Sequence, residues 1–132
     1  MVKRDNVRIC VPRYMQIGKG SLNQLPEIIR IIGSIKSLLI VTDKQMVKFG
    51  YVKKLQELLT KEGLKSNVFD ETIPDPTDTV VLNGIKILNK NKNDAVIGFG
   101  GGSPIDTAKA IAVLSQHSKN IQDYKPPGTF DK

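Results

Sequence analysis

The stretch Ala95-Val96-Ile97-Gly98-Phe99-Gly100-Gly101-Gly102-Ser103-Pro104-Ile105-Asp106 decides how the rest of the chain is read. An apolar run leads into four glycines within five positions, and a segment of helical spacing follows, so the order is strand, loop, helix. Glycine admits positive φ, and without a Cβ it lets a ligand approach the peptide N–H groups closely. Ser103 is placed to cap the helix, and Pro104 to take its first position, where a missing N–H costs nothing. Free N–H groups and the positive end of the helix dipole suit a phosphate or pyrophosphate. The alternative is a glycine-rich turn that only packs a strand against a helix. Two known glycine motifs do not fit: Ser-Pro stands where a P-loop needs Lys-Ser or Lys-Thr, and Ser103 stands where G-x-G-x-x-G needs its third glycine.

Upstream, Leu38-Leu39-Ile40-Val41 is a continuous apolar run ending in Thr42-Asp43, as expected of a strand buried on both faces with a polar carboxyl end. A short helical piece to Phe49-Gly50 leads into Tyr51 to Glu62, where Leu55, Leu58 and Leu59 share a face and Gly63 terminates. Val68-Phe69 centres another strand. In Glu71-Thr72-Ile73-Pro74-Asp75-Pro76 two prolines forbid helix and central strand alike, which leaves a rigid loop. Thr77 is placed to cap a helix with apolar positions Val81, Ile85 and Leu88. Asp94 to Phe99 is the strand before the glycine loop, and Ala108, Ile111, Ala112 and Leu114 give the last helix its apolar side. Nearer the start, Leu22, Leu25, Ile28, Ile29 and Ile32 predict a helix over 21–32 with Ser21 as cap and Gly33 as stop. Val7 to Val11 and Tyr14 to Ile17 predict a β-hairpin within residues 1–20, and residues 116–132 read as an irregular tail.

Strand and helix alternate after the hairpin, so the expected fold is α/β: one domain over 1–132, an open, mostly parallel sheet with helices on both faces. Ligands in such sheets bind beyond the carboxyl ends of the strands. Three loops meet there: Thr42-Asp43, Pro74-Asp75-Pro76-Thr77 and the glycine loop.

The 132 residues, 39% hydrophobic and 25% charged, match one globular domain with its own core. No apolar run resembles a signal peptide or reaches the roughly 18 residues of a membrane span, so a cytoplasmic protein is expected. The single cysteine, Cys10, forms no internal disulfide and reads as a small buried hydrophobe rather than a reactive thiol. A net charge of +7 invites nucleic acid, but the lysines are scattered and no aromatic ladder accompanies them, so they read as solvated helix faces.

Taken together, Gly18-Lys19-Gly20-Ser21-Leu22, Val41-Thr42-Asp43, Pro74-Asp75-Pro76-Thr77 and Gly98 through Lys109 resemble the N-terminal nucleotide-binding domain of the iron-containing alcohol dehydrogenase family. Glycerol dehydrogenases and dehydroquinate synthases are similar but usually differ where Ser103-Pro104 stands. The resemblance implies that Gly101, Gly102 and Ser103 hold the pyrophosphate of NAD, that Asp43 faces the adenosine ribose, and that Asp75 lies beside the cofactor. A carboxylate accepts hydrogen bonds from ribose hydroxyls and repels an added 2′-phosphate, which favours NAD over NADP. The alternative for Asp43 is a solvated strand-end carboxylate or a helix cap, and for Asp75 a local backbone cap. Asp106 is counted with the cofactor residues, although it also complements the helix dipole and can pair with Lys109 three residues on.

The same resemblance implies a divalent metal, iron or zinc, held by one Asp and three His in a helical C-terminal domain, where it acts as a Lewis acid on an alcohol or aldehyde oxygen. The one histidine, His117, sits among Ser, Gln and Lys and reads as a surface residue. The expectation is therefore the N-terminal part of a dehydrogenase, inactive by itself, with a separately encoded C-terminal half and a homo-oligomer as conceivable partners. The alternative is a nucleotide-binding module or degenerate fragment without catalysis. The substrate is not legible.

Overall fold

Burial on both faces makes Leu38, Leu39, Ile40 and Val41 the centre of the molecule. They belong to β1 (Ser37–Val41), which lies between β2 (Lys65–Phe69) and β3 (Ala95–Gly98), parallel to each, in the order β2-β1-β3. Alternate β1 residues point to opposite faces, so each face needs a cover. Leu39 and Val41 pack with Phe69, Val81, Leu88, Ala108 and Ile111 under α4 (Asp78–Lys90) and α5 (Gly102–Ser115). Leu38 and Ile40 pack with Ile29, Val52, Leu55 and Leu59 under α1 (Leu25–Ile32) and α3 (Tyr51–Lys61). A one-turn helix, α2 (Lys44–Lys48), connects β1 to α3. The structure, a computed structural model, describes residues 12–116. The expected open parallel sheet with helices on both faces is what forms.

The helix predicted over 21–32 divides. Ser21–Gln24 is a 3₁₀ turn, and the α-helix proper starts at Leu25. Pro26 explains the division: in a helix begun at Ser21 it would sit in the interior, without an N–H and against the Leu22 carbonyl, whereas in the first turn of α1 it is tolerated. Gly20, at φ 83°, precedes the turn, and Ser21 caps nothing. Of the predicted hairpin, Val7 to Val11 lies outside the described residues, as do Cys10, His117 and the tail from 117. Tyr14 to Ile17 forms no strand, and Tyr14, Met15 and Ile17 are exposed rather than set against a sheet.

Candidate functional site

Thr42, fully buried at the end of β1, ties the three strand ends together. Its N–H donates to the Phe69 carbonyl at 2.8 Å and its hydroxyl to the Phe99 carbonyl at 2.7 Å, while its own carbonyl accepts from the Thr72 hydroxyl at 2.7 Å. The Phe99 N–H donates to the Val41 carbonyl at 2.9 Å, so the glycine loop starts from a fixed point. Between the loops so held lies a cleft of about 670 Å³, walled by Asp43 to Gln45, by Asp70 to Pro74 and by Gly101 to Pro104.

The four glycines of the loop are there for different reasons. A Cβ on Gly98 would stand 2.9 Å from the Ile105 Cα and 3.0 Å from the Ala108 Cβ, so glycine lets α5 lie directly on β3. Gly100 has φ +144°, and a Cβ there would meet the Pro104 Cγ at 3.0 Å. Neither reason applies to Gly101 or Gly102. Gly101 is extended, Gly102 is helical, and beyond the adjoining residues and the backbone of the helix itself nothing described comes within 4 Å of a Cβ on either. The space beside them opens on the cleft.

The helix begins earlier than the serine-proline pair predicts. Gly101 is the N-cap and Gly102 the first helical residue, which makes Ser103 the second and Pro104 the third. Proline is still harmless there, because the first turn has N–H groups without intrahelical partners in any case. Gly101 has no side chain to cap them, and Ser103, released from capping, lines the cleft. The N–H groups of Gly102 and Ser103 thus emerge at an uncapped helix start.

Asp43 adopts one of the roles open to it: it caps α2, its Oδ1 accepting the Met46 N–H at 2.9 Å. The other oxygen, Oδ2, faces the glycine loop, 3.4 Å from where a Gly100 Cβ would stand. Asp75, at φ 53° between its two prolines, is exposed and is not part of the cleft wall, although the neighbouring Pro74 is. Asp106 points to solvent and pairs with Lys109 at 3.2 Å, both side chains about 70% exposed. The structure therefore brings Asp43, Gly101, Gly102 and Ser103 together and leaves Asp75 at the rim and Asp106 outside. Asp70 and Glu71 also line the cleft, although the sequence singled out neither, and Thr42, read there only as the polar end of the first strand, is the residue that ties the strand ends together. Among the described residues no three His, Cys, Asp or Glu side chains gather as metal ligands, and no helix is long and apolar enough to cross a membrane.

The sequence model of iron-containing alcohol dehydrogenases matches residues 12–132. The chain belongs to this family. A long-chain-alcohol dehydrogenase of Geobacillus thermodenitrificans is 35% identical over 89% of the chain, and an NADPH-dependent butanol dehydrogenase of Clostridium saccharobutylicum is 34% identical over 93%. The chain spans 29% and 31% of their lengths. Among solved structures, NADH-dependent butanol dehydrogenase A of Thermotoga maritima superposes with a TM-score of 0.79 at 28% identity, over 89% of this chain and 30% of that one. The family thus includes an enzyme named for NADPH and another named for NADH, so membership alone does not choose the cofactor.

Proposed function

We propose that this chain is the cofactor-binding part of an iron-containing alcohol dehydrogenase and that it takes NAD in the cleft beyond the strand ends. The observation that carries the reading is the unexplained pair Gly101 and Gly102: neither packing nor backbone conformation requires glycine there, and both border the cleft beside an uncapped helix start. A pyrophosphate against that start would receive the Gly102 and Ser103 N–H groups and the Ser103 hydroxyl, in the favourable field of the α5 dipole. Asp43 Oδ2 is left to accept a ribose hydroxyl while Oδ1 keeps its cap, so the carboxylate is held in one orientation by α2. Its charge opposes a 2′-phosphate, which is why NAD rather than NADP is proposed. Asp75 and Asp106 remain part of the proposal only as rim and outer neighbours.

The chemistry that the bound cofactor supplies is hydride exchange with an alcohol, giving an aldehyde or ketone. For the iron or zinc of the family, the described residues offer no ligand set, and no step is assigned to it in this chain. One histidine in the whole sequence does not make the three-histidine set that the family resemblance implies, so this chain alone is expected to turn over no alcohol. A homo-oligomer and a cytoplasmic location complete the reading.

Binding of NAD to the full chain, followed by ligand-observed NMR, tests it. The expected dissociation constant is on the order of 0.1–1 mM, about 4–5 kcal/mol. A folded protein that contacts neither NAD, ADP-ribose nor AMP overturns the proposal.

A further inference from the structure

Beside the glycine loop, the chain makes an isolated antiparallel bridge between Asp43 and Glu71. Residues directly opposed in such a bridge carry their side chains on the same side, with Cβ atoms about 5 Å apart. Two like charges so placed are mutually unfavourable, and a fold without a use for them would not gain by it. Both residues line the cleft, and Asp70 lines it beside them. Among the described residues the ion pairs are Arg30 with Glu62 and Lys109 with Asp106, so neither member of the bridge is neutralised by a cation. Among the described residues Lys44 is the one cation in the cleft wall, outnumbered by these carboxylates.

Asp43 is also half-committed, since Oδ1 serves α2. Glu71 is exposed, and among the described residues its carboxylate caps no helix and joins no ion pair. We infer that Glu71 is a second selectivity residue, which acts with Asp43 to accept the adenosine ribose hydroxyls and to exclude a 2′-phosphate. This inference rests on the cofactor site proposed above and deepens it. One carboxylate fixed by a helix cap sets the geometry of the ribose contact. A second, longer and unrestrained, reaches the neighbouring hydroxyl and adds its charge against any phosphate placed between them. Selectivity for the unphosphorylated dinucleotide is then shared, and removal of Asp43 alone leaves part of it in place.

The test compares ADP-ribose with its 2′-phosphorylated form, by ligand-observed NMR on the full chain, for wild type, Glu71→Gln, Asp43→Gly and the double variant. Glu57→Gln, on α3 away from the cleft, controls for a change in net charge. Glu71→Gln is expected to move the affinity ratio toward the phosphorylated ligand by about 3- to 10-fold, in wild type and in the Asp43→Gly background alike, whereas Glu57→Gln leaves it unchanged. In wild type, raising salt from about 0.05 to about 0.5 M is expected to narrow the discrimination, because exposed charges are screened; this measurement needs no variant to fold. If both ligands bind and the ratio is the same in Glu71→Gln as in wild type, Glu71 has no selectivity role and the cleft assignment stands. If folded wild type binds neither ligand, the cleft assignment falls and this inference with it.

Discussion

Gly98 and Gly100 differ from Gly101 and Gly102 in what a side chain would cost. The first two are fixed by the fold itself: one by the 2.9 Å approach of Ile105, the other by a left-handed φ. The second two border open space and adopt conformations available to any residue. One glycine run therefore contains two constraints of different origin, one set by packing and one by whatever approaches from the cleft. A substitution series separates them, because only the first pair should register in stability.

The largest effect is expected at Gly98. Gly98→Val places three carbons where α5 already lies against β3, and the helix can clear them only by lifting from the sheet that Ala108 and Ile111 cover. A loss of about 3 kcal/mol is expected, read from the midpoint of chemical denaturation. A change within about 0.5 kcal/mol would show that the helix–strand contact is loose and would remove the distinction between the two pairs.

Gly102→Val is the counterpart. The helical signal by circular dichroism should persist, with a stability change smaller than that of Gly98→Val. Binding of NAD should fall at least about 10-fold, or roughly 1.4 kcal/mol, because a branched side chain stands where the N–H groups of the helix start are approached. Unchanged binding would place the nucleotide elsewhere, and the two glycine pairs would then differ in packing only.

The two pairs were not separable in the sequence, and the reason is physical. Glycine is legible as a breaker, but which constraint requires it depends on what lies opposite, and Ile105 or Asp43 opposite a loop is a tertiary fact. The sheet, by contrast, was legible: Leu38 to Val41 is apolar throughout, short and closed by Thr42-Asp43, which suits a strand covered on both faces. Helix starts were less so. Thr77 is the N-cap of α4 by position yet makes no side-chain cap bond, and Ser103 sits inside α5 although serine and proline together suggested the boundary. Capping residues state a preference worth only about 1 kcal/mol, small enough for tertiary packing to override. Glu71 was read only as part of a proline loop, since nothing local announces that it will be bridged to Asp43, 28 positions away, once the strand ends align.

Asp43 sharpens the contrast from the opposite wall, because a single residue there combines both kinds of constraint. Asp43→Gly should relax the preference for NAD over NADP by removing the charge opposed to a 2′-phosphate, measured as the ratio of the two affinities by calorimetry. Asp43→Asn separates the roles: its amide oxygen can still accept the Met46 N–H, so the cap of α2 survives while the charge does not. Asp43→Ala loses both and should be less stable than Asp43→Asn by about 1 kcal/mol. If Asp43→Asn and wild type discriminate equally, the charge at Asp43 plays no part at the ribose and its cap is its whole function.

The smallest effect, and the most diagnostic of sign, is expected at Glu71. Most substitutions at sites shaped only by packing destabilise, as Gly98→Val should. Glu71→Gln ought to do the reverse, because it removes one of two like charges held directly opposite each other in the Asp43–Glu71 bridge, while the side chain keeps its length. Such a relief amounts to a few tenths of a kcal/mol, which for a domain of this size raises the thermal midpoint by roughly 1–3 °C at low salt. Screening at about 1 M salt should abolish the gain, since the Debye length there is shorter than the separation of the two carboxylates. Asp43→Asn should show less of the gain than Glu71→Gln, because an amide is a weaker acceptor than a carboxylate for the Met46 N–H and gives back part of what the lost repulsion contributes. A drop in midpoint on Glu71→Gln, or a rise insensitive to salt, would mean that the two bridged carboxylates do not repel each other, and the glycine loop would then border a wall with no electrostatic preference of its own.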